Sequence, residues 1–344
     1  MRVVNFLYLS QEDVIAAGGL DMDGTLATVE ETFRLWGEGD FVQPIKPAIR
    51  WGPPITENTR GRIIAMPAYV GGDVDMAGIK WIPSMPMNPE RHGLPRASAL
   101  IIINDPYTGL PLAVMDGTVI SAMRTGAATG IAAKYLARPD SAVLGLVGAG
   151  VQNRTQLMAL TRTLPRLAEV RVFDVKSEKT RAFCEEMAGQ VRPVLLAAGS
   201  AREAIQGADV FVTATVSSDA YVEAGWIKAG AFHSEISSWD TQPGTLTVYD
   251  KIVVDDWKAI QHGGKHVSAR AVKEGVIPES RIHAELGEIV VGRKPGRETE
   301  KERILFNPIG LPVHDVGEAT RIYRAAKEKG IGRVLPLWEK PIWV

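Results

Sequence analysis

Three polar residues stand where a sequence serving structure alone would not need them. Lys80 lies in Ala77-Gly78-Ile79-Lys80-Trp81, an apolar, strand-like run. A lysine buried there without a partner is costly, so Lys80 is either on an exposed face or tied to an anion. Arg124 lies in Ser121-Ala122-Met123-Arg124-Thr125-Gly126-Ala127-Ala128, at the opening of a helix of small residues that a neighbouring backbone can approach closely. Its planar fork suits a carboxylate, and a place near a helix N-terminus adds to anion binding. Asp240 lies in Ser237-Ser238-Trp239-Asp240-Thr241-Gln242-Pro243-Gly244, a loop that follows an apolar run. A carboxylate there is a candidate proton acceptor. Each residue alone reads equally well as a surface charge, a salt bridge or a helix cap. Together they supply a carboxylate anchor, a second cation and a base.

A fourth feature says what those groups would work beside. The run Ser141-Ala142-Val143-Leu144-Gly145-Leu146-Val147 ends in Gly148-Ala149-Gly150 and passes into a helix-like segment, residues 152–163. A second apolar run, Val170-Arg171-Val172-Phe173, ends in Asp174. Strand, glycine turn, helix, strand and carboxylate in that order form the layout of a dinucleotide site. Gly148 allows the tight turn, and Gly150 lets the backbone approach a pyrophosphate. The helix opening at Val151 and Gln152 points unpaired N–H groups and its positive dipole end at the phosphates. Asp174 is placed to hold a ribose 2′-hydroxyl and to repel a 2′-phosphate, which favours NAD over NADP; Lys176 softens that preference. Asn153 stands where a third glycine would be expected. A bare Gly-x-Gly is an ordinary tight turn, so the flanking strands and the acid carry the reading. Loops at the carboxyl ends of such strands face the nicotinamide, which is where Asp240 falls. Thr213-Ala214-Thr215 ends another run, with small side chains that can pass beneath a cofactor.

The rest of the chain must position these groups. Its 344 residues imply two domains. An apolar content of 45% with 23% charged residues is that of an ordinary globular protein. A net charge of −1 without a basic tract argues against nucleic acid, and the apolar runs are strand-length, so no membrane span is expected. The N-terminus lacks a signal peptide's features, and a single cysteine fits a reducing compartment, so a cytoplasmic protein is expected. Cys184 has apolar neighbours at helical spacing and reads as a packing residue. His262 and His266 flank Gly263-Gly264, which opposes a helix, and no other ligands cluster nearby, so no metal site is expected. Asp255 and Asp256 read as solvated or capping carboxylates.

Residues 11–36 carry helical spacing, and residues 42–82 read as strands with long turns. Residues 97–103 and 112–115 form a hairpin about Asn104-Asp105-Pro106-Tyr107-Thr108-Gly109, and a small-residue helix spans 121–136. Strands are predicted at 142–147, 170–174, 209–214, 231–236, 251–254 and 304–306, with a terminal helix over 312–329 stopped by Gly330. The fold class is therefore α/β. A Rossmann domain (126–312) is inserted between an N-terminal α+β substrate-binding and dimerisation domain (1–125) and a returning C-terminal helix (within 313–344).

With these segments in place the chain resembles the ornithine cyclodeaminase/μ-crystallin family from end to end. The resemblance rests on Ala65-Met66-Pro67, Gly78-Ile79-Lys80-Trp81, Met123-Arg124-Thr125, Gly148-Ala149-Gly150 and Asp255-Asp256. Asp40-Phe41-Val42-Gln43-Pro44-Ile45-Lys46-Pro47, Arg96-Ala97-Ser98, His283-Ala284-Glu285-Leu286-Gly287 and Asn307-Pro308-Ile309-Gly310 are similar to the siderophore-pathway branch. The resemblance implies a homodimer and NAD-linked hydride transfer at an amino-acid Cα. It implies Lys80 and Asp240 as catalytic residues and Arg124, Lys46 and Arg96 as substrate contacts. The cofactor set it implies is Gly148, Gly150, Val151, Gln152, Asp174, Thr125, Thr213, Ala214, Thr215 and Asn307. The branch implies oxidation of a glutamate–diaminopropionate secondary amine, with the imine split by water into 2-oxoglutarate and L-2,3-diaminopropionate. Ile64 stands where ornithine cyclodeaminases carry a glutamate, which counts against ornithine cyclisation. Gln261-His262-Gly263-Gly264 resembles the cyclodeaminase and alanine dehydrogenase branches instead. A cyclodeaminase or ketimine reductase, and a non-catalytic binding protein, remain the alternatives.

Overall fold

The computed structural model describes residues 3–51 and 61–342. The chain divides into two compact units: Met1–Arg124 with Leu311–Val344, and Thr125–Gly310.

The first unit is built on a mixed sheet. Its strands are β1 (Val4–Leu9), β2 (Phe41–Val42), β3 (Ala48–Trp51), β4 (Gly61–Val70), β5 (Met76–Ser84), β6 (Leu100–Asn104) and β7 (Pro111–Asp116). A late strand, Arg333–Trp338, pairs antiparallel with β1, so the returning segment adds a strand as well as a helix. The order runs from this late strand through β1, β7, β6, β5 and β4 to β2, and β3 also pairs with β4. Strands β4 and β5 form the longest pairing, with Arg62 opposite Ser84, Ile64 opposite Ile82 and Met66 opposite Lys80. The hairpin predicted about residues 104–109 is the antiparallel pair β6–β7. The predicted N-terminal helical region is broken: Gly18 takes φ 105, which only glycine adopts cheaply, and the chain restarts as the helix Met22–Glu38.

The helix Pro312–Lys329 covers the sheet and runs against β4, β5, β6 and the helix Met22–Glu38. Pro312 stands at its first turn, and Gly330 closes it at φ 65, as the sequence suggests. Residues 312–320 are buried all round, so every polar group in that half-helix needs a partner. Glu318 pairs with Arg321 at 2.6 Å and accepts from Thr25 Oγ1 at 2.9 Å.

The second unit is an all-parallel sheet. Its strands are β8 (Val143–Val147), β9 (Glu169–Phe173), β10 (Val194–Ala197), β11 (Val210–Thr213), β12 (Phe232–Glu235), β13 (Lys251–Val254), β14 (Ile282–Glu285) and β15 (Ile304–Phe306); the late strand of the first unit is β16. The order is β10-β9-β8-β11-β12-β15-β13-β14. The six predicted strands are all present. Strands β10 and β14 escape prediction: both have four residues and lie at the sheet's two ends, and β14, Ile282-His283-Ala284-Glu285, has little apolar signal. The α/β class follows directly from this sheet.

Candidate active site

The second unit carries the glycine turn at the end of β8. Gly148 has φ 97, and a Cβ there would meet the Ala214 carbonyl oxygen at 2.6 Å. Both the conformation and the close approach demand glycine. A Cβ on Gly150 would meet nothing within 4 Å, so the space above that backbone is open. The helix Val151–Thr163 begins there with no side chain capping it. Val151 is exposed and Gln152 half-buried beside those first N–H groups. Asp174 follows β9 and accepts the Ala149 N–H at 2.9 Å, which ties the acid to the turn. Open space, uncapped donors and an adjacent carboxylate fit a dinucleotide's phosphates and ribose.

Asn153 does what the missing third glycine would have left to packing. It is buried, and its Nδ2 donates to the carbonyls of Val147 at 2.9 Å and Gly148 at 2.5 Å, pinning helix to strand. Close helix contact is supplied instead at Gly126, where a Cβ would meet the Thr155 carbonyl at 2.4 Å. The neighbouring Thr125 carbonyl accepts from Gln156 Nε2 at 3.2 Å.

A second polar centre lies at the carboxyl ends of β11 and β12. Asp240 is buried; its Oδ1 accepts from Thr215 Oγ1 at 2.5 Å and its Oδ2 from Thr215 N at 3.3 Å. Thr213, Ala214 and Thr215 thus lead directly to the predicted base, although Thr213 itself turns to His233 Nε2 at 3.0 Å. Beneath Asp240 is Glu235, fully buried. Its Oε1 accepts the N–H groups of Asp240 at 2.8 Å and Thr241 at 3.1 Å, while Oε2 has no partner among the described residues. Burial, and then the Asp240 charge, push the Glu235 carboxyl up to about 8. It is a neutral acid at pH 7. His233, stacked on Phe211 and bonded to Tyr249, is held neutral by burial at about 3. Asn307, after β15, accepts from Ser268 Oγ at 2.7 Å and reaches toward the Glu235 carbonyl at 3.5 Å.

The first unit carries the third centre. Lys80, fully buried on β5, donates to Asp315 Oδ1 at 2.8 Å and Ser121 Oγ at 3.1 Å. Arg124 Nε donates to the same Asp315 oxygen at 2.9 Å. The lysine is therefore tied to an anion, one of the two outcomes its sequence allowed. Burial, and then the Arg124 charge, bring Lys80 down to about 7 against the opposing pull of Asp315; Lys46 lowers it further. Burial alone would raise Asp315, but Arg124 and Lys80 outweigh it and hold the carboxyl below its ordinary value.

Several expectations are corrected here. The helix of Arg124 starts at Thr118, so Arg124 lies beyond its first turn and the helix terminus contributes little to any anion it binds. Asp255 is buried rather than solvated, and its carboxylate accepts the N–H groups of Ile309 at 2.8 Å and Gly310 at 2.7 Å. Asp256 does cap the helix Trp257–Gly263. Lys46 is brought near Lys80, whereas Arg96 is exposed and lies by Arg62. Sequence reasoning missed Asp315 and Glu235. In the sequence Asp315 is indistinguishable from any acid in the first turn of a helix, and Glu235 stands at the end of an apolar strand.

Comparison with known proteins places this geometry. The model of the ornithine cyclodeaminase/mu-crystallin family matches residues 8–330. The chain belongs to that family. It is 38% identical over 334 residues to the N-((2S)-2-amino-2-carboxyethyl)-L-glutamate dehydrogenase of Staphylococcus aureus, covering 96% of this chain and 98% of that protein. It is 39% identical over 333 residues to the alanine dehydrogenase of Archaeoglobus fulgidus, covering 95% and 97%. Among solved structures, the Thermococcus litoralis Delta(1)-pyrroline-2-carboxylate reductase in complex with NADH and L-proline superposes with a TM-score of 0.88 at 36% identity, covering 95% of this chain and 99% of that one. An archaeal alanine dehydrogenase dimer with bound NAD superposes with a TM-score of 0.86 at 36% identity, covering 97% and 100%. The family and the parallel-sheet fold with its dinucleotide turn agree with the sequence reading.

Proposed function

We propose that the protein is an NAD-dependent oxidoreductase acting on the Cα–N bond of an amino acid. The substrate we assign is a secondary amine of the glutamate–diaminopropionate type. The observation that carries the catalytic reading is the buried Lys80–Asp315–Arg124 cluster. Two cations sharing one carboxylate oxygen deep in the first unit are costly to maintain for stability alone. The substrate assignment is supported by whole-chain similarity to the S. aureus dehydrogenase and by Ile64 in place of an acid. A single-carboxylate substrate is the second reading, favoured by the equal similarity to an alanine dehydrogenase.

Bound NAD supplies the hydride acceptor, held by Gly148, Gly150, the N–H groups at Val151 and Gln152, and Asp174. Thr125, Thr213, Ala214, Thr215 and Asn307 are assigned to the same binding surface. Arg124 and Lys80 grip the α-carboxylate, with Lys46 as a further contact, and fix the direction in which the Cα–H points. Asp240 accepts the proton lost from the amine as the C=N bond forms. The net change is amine plus NAD⁺ to imine, NADH and a proton. Water, activated by the same carboxylate, then adds to the imine carbon and releases 2-oxoglutarate and the primary amine. Thr215 and Glu235 hold Asp240 in place. The protein works as a homodimer; exposed apolar residues of the first unit's sheet, including Val42, Ile49, Leu100 and Leu337, are suited to a partner surface. Among the described residues no helix is long and apolar enough to cross a membrane.

The test is an absorbance assay with NAD⁺ and a panel of amino acids, cyclic imines and N-linked amino-acid adducts. The expected result is NADH formed one-for-one with 2-oxoglutarate from the glutamate–diaminopropionate adduct. Ammonia released from alanine, or from a diamine without NADH accumulation, would replace the substrate assignment. Asp240→Asn is expected to lower turnover about 10²- to 10⁴-fold with NAD binding retained. Full activity in that variant would remove Asp240 from the reaction.

A further inference from the structure

Lys80 does not stand alone on its face of the first unit's sheet. Side chains alternate along a strand, and directly paired residues share a face. Lys80 and Ser84 are therefore on one face of β5, and Arg62, paired with Ser84, is on the same face of β4. Arg50, paired with Arg62, extends the row onto β3. On the other side Ala97 bridges to Ser84 and so shares this face; Arg96, the residue before it, starts from the opposite face, but its charge acts on Arg62. Arg62 and Arg50 thus share one end of this face, with the Arg96 charge close to Arg62, four residues or about 13 Å along the strand from Lys80.

This row is built against itself. Like charges directly across a strand pair destabilise it. Arg62 is half-buried, and burial followed by the charges of Arg50 and Arg96 lowers its proton affinity. Among the described residues, no carboxylate forms an ion pair with Arg62 or Arg96. The contrast with Lys80 and Arg124, whose carboxylate is supplied by Asp315, is direct.

We propose that Arg62 and Arg96, backed by Arg50, form a second carboxylate site. The substrate is then an amino acid bearing an additional carboxylate well removed from the one held at Lys80 and Arg124. This inference rests on the reading of that pair as the α-carboxylate anchor. It separates a di- or tricarboxylate substrate from alanine or a cyclic imine, which carry one carboxylate each. Paired guanidinium forks recognise a planar carboxylate through two hydrogen bonds apiece.

The experiment uses the full-length protein with NAD present and two probes of equal backbone. 2-Oxoglutarate carries the distal carboxylate, and 2-oxobutyrate lacks it. The native protein is expected to bind 2-oxoglutarate about tenfold or more tightly. In Arg62→Gln/Arg96→Gln that preference should vanish while 2-oxobutyrate affinity is unchanged. Arg62→Lys should recover part of it. Thermal unfolding of the Arg62→Gln variant should occur no lower than in the native protein, because a repulsive pair has been removed. No preference in the native protein, or a preference that survives the double substitution, overturns the proposal. Arg124→Gln tests the underlying reading separately: unchanged 2-oxobutyrate binding there would dismiss the α-carboxylate anchor, with the distal preference still measurable.

Discussion

The two units bury charge in opposite ways. In the first, two cations share one carboxylate: the pair keeps Asp315 ionised, while burial and the Arg124 charge still bring Lys80 down to about 7. In the second, two carboxyl groups five residues apart in the chain meet without a cation among the causes acting on Glu235. There the conflict is resolved by protonation, and the neutral acid uses one oxygen to hold two backbone N–H groups of the Asp240 loop. The lesson is that a buried ionisable residue cannot be assigned a charge from its type. The nearest compensating group decides it.

Removing the compensating group is the most severe way to break this contrast. Asp315→Asn leaves Lys80 and Arg124 buried without their anion, and a loss of about 3–5 kcal/mol is expected in denaturant unfolding. A variant as stable as the native protein would mean that solvent, rather than Asp315, balances the two cations. The opposite outcome is expected for Glu235→Gln. The folded-state carboxyl, at about 8, lies above its unfolded value, so the native protein loses stability as pH rises from about 4.5 toward 8. Glutamine escapes that loss while keeping an acceptor for both N–H groups. The variant should therefore gain on the native protein between pH 5 and pH 8, by on the order of a few kcal/mol at the upper end. A constant difference across that range would show that Glu235 is already ionised.

The smallest effect concerns Lys80, and it sharpens the comparison. Its folded-state value of about 7 lies below the ordinary lysine value. Between those limits the unfolded chain holds the extra proton, so stability rises with pH as the buried charge is relinquished. Carboxylate binding moves the other way. The substrate KM should increase as pH passes upward through about 7, by severalfold, and Lys80→Arg should flatten that profile because its charge persists. A native profile already flat from pH 6 to 9 would place the lysine's ionisation outside this range.

Much of the second unit could be read from the chain. Gly148, Gly150 and Asp174 are local features separated by one helix and one strand, and their geometry follows from turn and helix chemistry. Asn153 marked a departure whose remedy, two hydrogen bonds back to the strand end, needed the folded turn to be seen. Lys80 and Arg124 were identifiable because polar groups in apolar runs demand an explanation. Their partner was not, since Asp315 is 235 residues from Lys80 in sequence and looks like any acid near a helix start. Arg62, which opens the Arg62-Ile63-Ile64-Ala65-Met66-Pro67 segment of the family resemblance, was given no role of its own for a similar reason. One arginine on a strand is unremarkable until strand pairing sets Arg50 opposite it and the fold brings the Arg96 charge near.

By itself the sequence determined the parallel sheet, the dinucleotide turn, the terminal helix and the three polar residues around which the function is argued. Those are consequences of local periodicity, glycine conformation and the cost of placing charge among apolar neighbours. Only the tertiary structure decided which charges compensate one another. It brought Asp315 to Lys80 and Arg124, set Glu235 beneath Asp240 and, among the described residues, gave Arg62 and Arg96 no carboxylate ion pair. Electrostatic pairing depends on distances of a few ångströms between residues as far as 235 apart in the chain, and folding alone fixes those distances.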